Sequence, residues 1–175
     1  EPRFGPEHTF TNQELFESFP PKRAVISTDV SDRYLRQYYE KISEIQASGE
    51  RSFKLSSSSR TFGFSSAEKY RITFQDGFSI DVFSDPGVIE VTHDPVTIAD
   101  YESKYQKRVQ TLVFDVLKQM GLTPWEFAGS GHIHLDLESS FGSKGRILRQ
   151  YVADYYNHPV LAGGAFNHDI RNSAG

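Results

Sequence analysis

The sequence predicts an α+β fold, in which helices pack on one face of a mostly antiparallel sheet. Two alternating runs, 70–74 and 78–83, flank Gln75-Asp76-Gly77, and Asp-Gly is a strong signal for a tight hairpin turn. A third run at 88–92 extends the hairpin into a meander. Helical periodicity then dominates residues 98–120, so the meander and the longest helix are separate segments of the chain.

Composition narrows the class of protein. The 175 residues are enough for a substantial core, and we expect one domain over 1–175, cut from a longer polypeptide. The net charge is −4 with both signs mixed, which favours a small-molecule partner over nucleic acid or an anionic membrane. The chain has no cysteine, so His and carboxylates are the strong metal ligands available, and we expect a cytoplasmic location. No apolar run approaches the roughly 18 residues of a membrane span.

The first part of the chain should contribute one strand to the site. Alternation over 3–10 places Glu7 and Thr9 on one strand face and His8 and Phe10 on the other. The elements expected next are a loop at 16–22, a short buried strand at 24–27, a helix from a cap at Ser31 or Asp32 to about Ala47, and a polar loop at 55–60.

The second part begins with the long helix. Thr97 is its expected N-cap with Asp100 in the capping-box position, and Gly121 closes it. A strand over 129–138 should follow, then a helix over 146–156 and a polar tail.

The stretch 129–138 is the strongest candidate for chemistry. In a strand, Ile133, Leu135 and Leu137 face one way, toward a core, while His132, His134, Asp136 and Glu138 face the other. Imidazoles two residues apart lie about 7 Å from each other on one face, a spacing at which both can reach one metal ion or two neighbouring ions. Glu7, Glu90 and Asp81, on other predicted strands, are candidate partners for this face.

The order of four motifs resembles a known family. Phe4-Gly5-Pro6-Glu7, Gly87-Val88-Ile89-Glu90-Val91, a long helix ending in Gly121-Leu122-Thr123-Pro124, and Gly129-Ser130-Gly131-His132-Ile133-His134 follow one another. This series resembles the amidoligase and glutamate–cysteine ligase-like branch of the glutamine synthetase superfamily. The resemblance implies a curved antiparallel sheet on which Glu7, Glu90 and one or both of His132 and His134 bind divalent cations that hold ATP.

The implied activity is ATP-dependent joining of a carboxylate to an amine through an acyl phosphate, with Glu7 and Glu90 in the catalytic site. Hard carboxylate ligands suit Mg²⁺, and imidazole makes Mn²⁺ acceptable as well. Arg171 is an expected nucleotide- or substrate-binding residue, because a guanidinium binds a carboxylate through two hydrogen bonds, and Asp81 is a further candidate for this role. The chain departs from the family at Thr9, where a second acid is common, and in its shorter length.

Two alternatives remain open on the sequence. A cupin-type barrel would place His132, His134, Glu138 and His168 on one metal, but the helical pattern at 146–156 and Glu126 in place of a glycine oppose it. A non-catalytic scaffold or regulatory domain with the ligase fold would account for Thr9 and for the short chain.

Overall fold

The computed structural model describes residues 1–18, 28–49, 52–62, 65–85, 87–124, 132–142 and 145–158. The predicted strand at 24–27 lies outside the described residues, as do Arg171 and His168. The chain divides into two compact units, one formed by residues 3–135 and the other by residues 1–2 and 136–175.

The first unit contains a six-stranded sheet in which every neighbouring pair of strands is antiparallel, and the predicted α+β class is confirmed. The strands are β1 (Phe4–Phe10), β2 (Phe53–Phe62), β3 (Ser65–Phe74), β4 (Ser79–Asp85), β5 (Val88–His93) and β6 (His132–Leu135). Their order across the sheet is β2-β3-β4-β5-β1-β6. The meander β2 to β5 is therefore followed by the first strand of the chain and then by the last.

The helices of the first unit are α1 (Gln13–Glu17), α2 (Thr28–Ala47) and the long helical segment 98–119, here called α3. Within α3, π-helical turns at Tyr101–Tyr105 and Gln110–Phe114 interrupt the α-helix. The second unit contains α4 (Leu137–Phe141) and α5 (Arg146–Asn157), the latter close to its predicted bounds.

The core lies between one face of the sheet and the helices α2 and α3. Side chains at alternate positions of the central strands, including Ile72, Ile80, Val82 and Val91, are fully or almost fully buried in it. The hydroxyl of Tyr38 in α2 donates a hydrogen bond of 2.8 Å to the carbonyl of Leu112 in α3, and this buried contact links the two helices. The opposite face of the strands carries Asp81 and Glu90 together with the apolar Phe83 and Val88, and all four are buried near the middle of the sheet.

The predictions for residues 55–60 and for the start of α2 are wrong. The expected polar loop at 55–60 is part of β2, whose serines pair with β3 at the outer edge of the sheet, where Ser56–Ser59 are exposed. Polar residues are tolerated there because an edge strand has little to bury. The helix α2 spans Thr28–Ala47, so Ser31 and Asp32 lie inside it and are not its N-cap.

The predicted strand over 129–138 is shorter than expected. The carboxylate of Asp136 accepts a hydrogen bond of 2.9 Å from the backbone N–H of Ser139, which caps α4 and ends the extended segment. Leu137 and Glu138 are therefore helical. Ile133 and Leu135 are 60% and 42% exposed, so the prediction that they face a core is wrong: β6 is the outermost strand of the sheet.

Candidate functional site

A polar face of the sheet brings most of the candidate residues together. Residues directly opposite each other on antiparallel strands point to the same face. One such row runs across five strands and contains Arg71, Asp81, Thr92, Glu7 and His132. Glu90 precedes Thr92 by two positions and His134 follows His132 by two, so both belong to this face, which we call the polar face. The predicted faces of Glu7, Glu90, His132 and His134 therefore coincide.

Glu7 is the centre of the group at the β6 edge. Its carboxylate lies 2.6 Å from Nδ1 of His132 and 3.2 Å from Nε2 of His134, one oxygen to each ring. An ionised carboxylate only accepts hydrogen bonds, so each of these two nitrogens carries the proton that it donates. His132 is directly opposite Glu7, whereas His134 is opposite Gly5, two positions earlier on β1.

The ionisation of Glu7 follows from these contacts. Partial burial acts to raise the pKa of Glu7, but the hydrogen bonds from His132 and His134 outweigh it and hold the pKa below its ordinary value. The Glu7 side chain is 13% exposed, against 62% and 66% for the two histidines. Glu7 is thus a carboxylate at neutral pH, recessed beneath two imidazoles that remain open to solvent.

Glu90 supplies a second carboxylate on the next strand. It lies in β5 directly opposite Thr9 of β1 and is 8% exposed. Glu90 and Glu7 are diagonal neighbours on the two paired strands, a relation that places their Cα atoms about 7–8 Å apart. Thr9, where the resemblance noted in the sequence leads one to expect a second acid, is thus directly opposite a carboxylate of the neighbouring strand.

Asp81 is held by two cations. Its carboxylate lies 2.6 Å from Nζ of Lys69, and it accepts hydrogen bonds of 2.6 Å from Nε and 2.7 Å from Nη2 of Arg71. Burial acts to raise the pKa of Asp81, but the bonds from Arg71 and Lys69 outweigh it and hold the pKa below the ordinary value. Lys69 and Arg71 were not singled out from the sequence, although the register of the hairpin closed at Gly77 places both on the face of Asp81.

The carboxylates and imidazoles of the polar face are the ligand types that a hard or borderline divalent ion prefers. In the structure, however, Glu7, His132 and His134 are arranged to form hydrogen bonds with one another. Within the described ranges, no group of three or more His, Asp or Glu residues surrounds a point that could hold a metal ion. Imidazole nitrogen and carboxylate oxygen are nevertheless atom types that Mn²⁺ accepts, and an ion bound by the two ring nitrogens at Glu7 would displace the protons that they donate to it. Glu138, required by the cupin alternative, lies in α4 and not on β6.

Comparisons with known proteins add no relative: no protein-family model matches the sequence, and no curated protein or solved structure matches it significantly. Among the described residues, no helix combines the length and the apolar character that crossing a membrane requires.

Proposed function

We propose that the chain is an ATP- and divalent-metal-dependent carboxylate–amine ligase of the amidoligase type, whose site is the polar face of the sheet. One observation carries the proposal: the Glu7 carboxylate meets the ring nitrogens of His132 and His134 on the face that also carries Glu90. Acids distant in the sequence and a pair of histidines converge, as the motif order that resembles this family requires.

In this reaction, the substrate carboxylate attacks the γ-phosphorus of ATP, giving an acyl phosphate and releasing ADP. The amine then attacks the acyl carbon and displaces inorganic phosphate, with loss of a proton from nitrogen. A bound Mg²⁺ or Mn²⁺ ion would neutralise and align the polyphosphate. Glu7, Glu90, His132 and His134 would hold such ions.

The chain's own geometry contributes orientation. The two imidazoles fix the Glu7 carboxylate by one hydrogen bond to each oxygen, so the anion is positioned before any ligand arrives. The buried setting of Glu90 strengthens its electrostatic interaction with a cation on the same face, because the surroundings are less polar than water.

Calorimetric titration with Mn²⁺ tests the site. We expect the wild type to bind Mn²⁺, Glu7→Gln and the double variant His132→Ala/His134→Ala to bind it at least tenfold more weakly, and the matched control Glu102→Gln, an exposed carboxylate on α3, to bind it within twofold of the wild type. Equal Mn²⁺ affinity in all four proteins would overturn the proposed site.

Trapping with hydroxylamine tests the reaction. Hydroxylamine replaces the amine and converts an acyl phosphate into a hydroxamate, so a panel of carboxylic acids with ATP and Mn²⁺ should give hydroxamate and ADP in equal amounts. Glu7→Gln should abolish both products. The non-catalytic alternative is favoured by Thr9, and it predicts binding of Mn²⁺ and ATP without ADP or hydroxamate for any acid.

A further inference from the structure

A second group of charges lies on the same polar face, on β3 and β4, several strands away from the histidines of β6. Lys69 and Arg71 of β3 both bind the carboxylate of Asp81 in β4, at 2.6–2.7 Å. Asp81 is 8% exposed, so the carboxylate that orients both cations is almost completely removed from water. The side chains of Lys69 and Arg71 are 27% and 46% exposed and remain accessible from solvent.

The group carries an excess of positive charge. Two cations share one carboxylate, and among the described residues neither Lys69 nor Arg71 lies within ion-pair distance of another acid, although the charge of Asp94 also acts on Arg71. The Asp81 carboxylate accepts hydrogen bonds from Nε and Nη2 of Arg71, so Nη1 of the guanidinium lies outside this contact. The same carboxylate lies against the Lys69 ammonium, which has three N–H donors and uses one of them for this contact. Oriented donors whose positive charge is only partly compensated by Asp81 and Asp94 are suited to an anion.

The position of this group relative to Glu7 follows from the register. Arg71, Asp81, Thr92 and Glu7 are directly opposite one another on four successive strands. Adjacent strands lie about 4.8 Å apart, so Arg71 and Glu7 are roughly 14 Å apart at the backbone. An extended nucleotide, or an acid substrate bridging the two groups, has a length of this order. Cations and carboxylates thus occupy opposite ends of one face.

We propose that Lys69 and Arg71 form an oxyanion-binding subsite, which takes a phosphate group or a carboxylate of a ligand lying across the polar face, and that Asp81 is the positioning residue which aligns them. The role within the ligase rests on the function proposed above, whereas binding of the oxyanion itself does not. Arg71 supplies planar, directional donors and Lys69 a compact charge, and Asp81 fixes both before the ligand binds.

Calorimetric titration with inorganic tripolyphosphate and, separately, with glutarate tests the subsite, in EDTA so that no divalent ion contributes. The variants are Lys69→Met and Arg71→Met. The matched control is Lys54→Met, since Lys54 is an exposed lysine that the pairing with Thr73 places on the same face, on β2. Lys69→Met keeps the pair between Arg71 and Asp81, so this variant should retain the fold, and melting curves check all three.

At least one probe should bind, and both subsite variants should weaken its binding about tenfold or more, while Lys54→Met changes it less than twofold. Losses confined to tripolyphosphate identify a phosphate subsite, and losses confined to glutarate a carboxylate subsite. Absence of binding by the wild type, or equal losses in Lys54→Met and Lys69→Met, would overturn the proposal. The variant His132→Ala/His134→Ala should bind the probe normally in EDTA, so failure of the metal site and failure of this subsite give different results.

Discussion

The site around Glu7 shows which features of a site can be predicted from short stretches of sequence and which depend on strand pairing. Side-chain alternation along one strand has a period of two, so the shared face of Glu7 and Thr9, and that of His132 and His134, can be predicted from short stretches of sequence. Whether those two faces coincide depends on the pairing of β1 with β6, which joins residues more than a hundred positions apart. The convergence on Glu7 is therefore a property of register that periodicity alone does not determine.

His93 gives a prediction at the same scale. This residue is 6% exposed, its Nδ1 lies 2.8 Å from the Asp94 carbonyl, and Nε2 has no hydrogen-bond partner among the described residues. Burial lowers the pKa of His93, against a smaller opposing effect of the Asp94 carbonyl. The unfolded chain therefore binds the proton more readily, and the free energy of unfolding should fall as the pH drops below about 6.5.

The variant His93→Phe removes this titration and keeps a ring stacked on Tyr101, which lies 5.4 Å away between ring centres. Urea unfolding at pH 7 and pH 5 should show a smaller loss of stability on acidification for the variant than for the wild type, after an initial cost of about 1 kcal/mol at pH 7 for the lost hydrogen bond. His158→Phe, an exposed position, serves as the control. An unchanged pH dependence in His93→Phe would contradict this account.

Among the elements, α3 was the most predictable, because its start is specified by local chemistry. The Thr97 hydroxyl accepts a hydrogen bond of 3.1 Å from the Asp100 backbone N–H and donates one of 3.1 Å to the Asp100 carboxylate. Thr97→Ala should lower the free energy of unfolding by about 1 kcal/mol in urea titrations. Thr111→Ala, within α3, is the matched control and should be nearly neutral, because alanine has the higher helix propensity. Equal losses in both variants would show that the cap contributes nothing specific.

The elements that were predicted wrongly are those in which tertiary pairing outweighs local preference. The serine run in β2 has the composition of a loop, yet its backbone is paired with β3 along the whole strand. The alternating pattern after His134 predicts a continued strand, but Asp136 caps a helix instead. In both places the sequence contains signals for two structures, and the choice between them depends on contacts with distant residues.

At the scale of the whole sheet, turn signals and periodicity do not determine the order of the strands, although the family resemblance implied that Glu7, Glu90 and His132 lie on neighbouring strands. The meander β3 to β5 follows from turn signals and short connections. The placement of β1 between β5 and β6 does not, since these pairs close long loops whose cost has no local signature. This placement unites Glu7 with Glu90 on one side and with the histidines on the other, so the candidate site depends on a feature of the fold that local signals do not determine.

Hydrogen exchange of the backbone amides tests this arrangement of the whole unit. The strands β4 and β5 are paired on both sides and mostly buried, so their amides should exchange most slowly. The amides of β6, an outer strand with all four residues exposed, should exchange at least a hundredfold faster. If Mn²⁺ binds at Glu7, His132 and His134, its addition should slow exchange in β6 and leave the outer strand β2 unchanged, because ligation ties β6 to β1. Equal slowing in β2 and β6 would instead indicate a general stabilisation and would count against a site at the β6 edge.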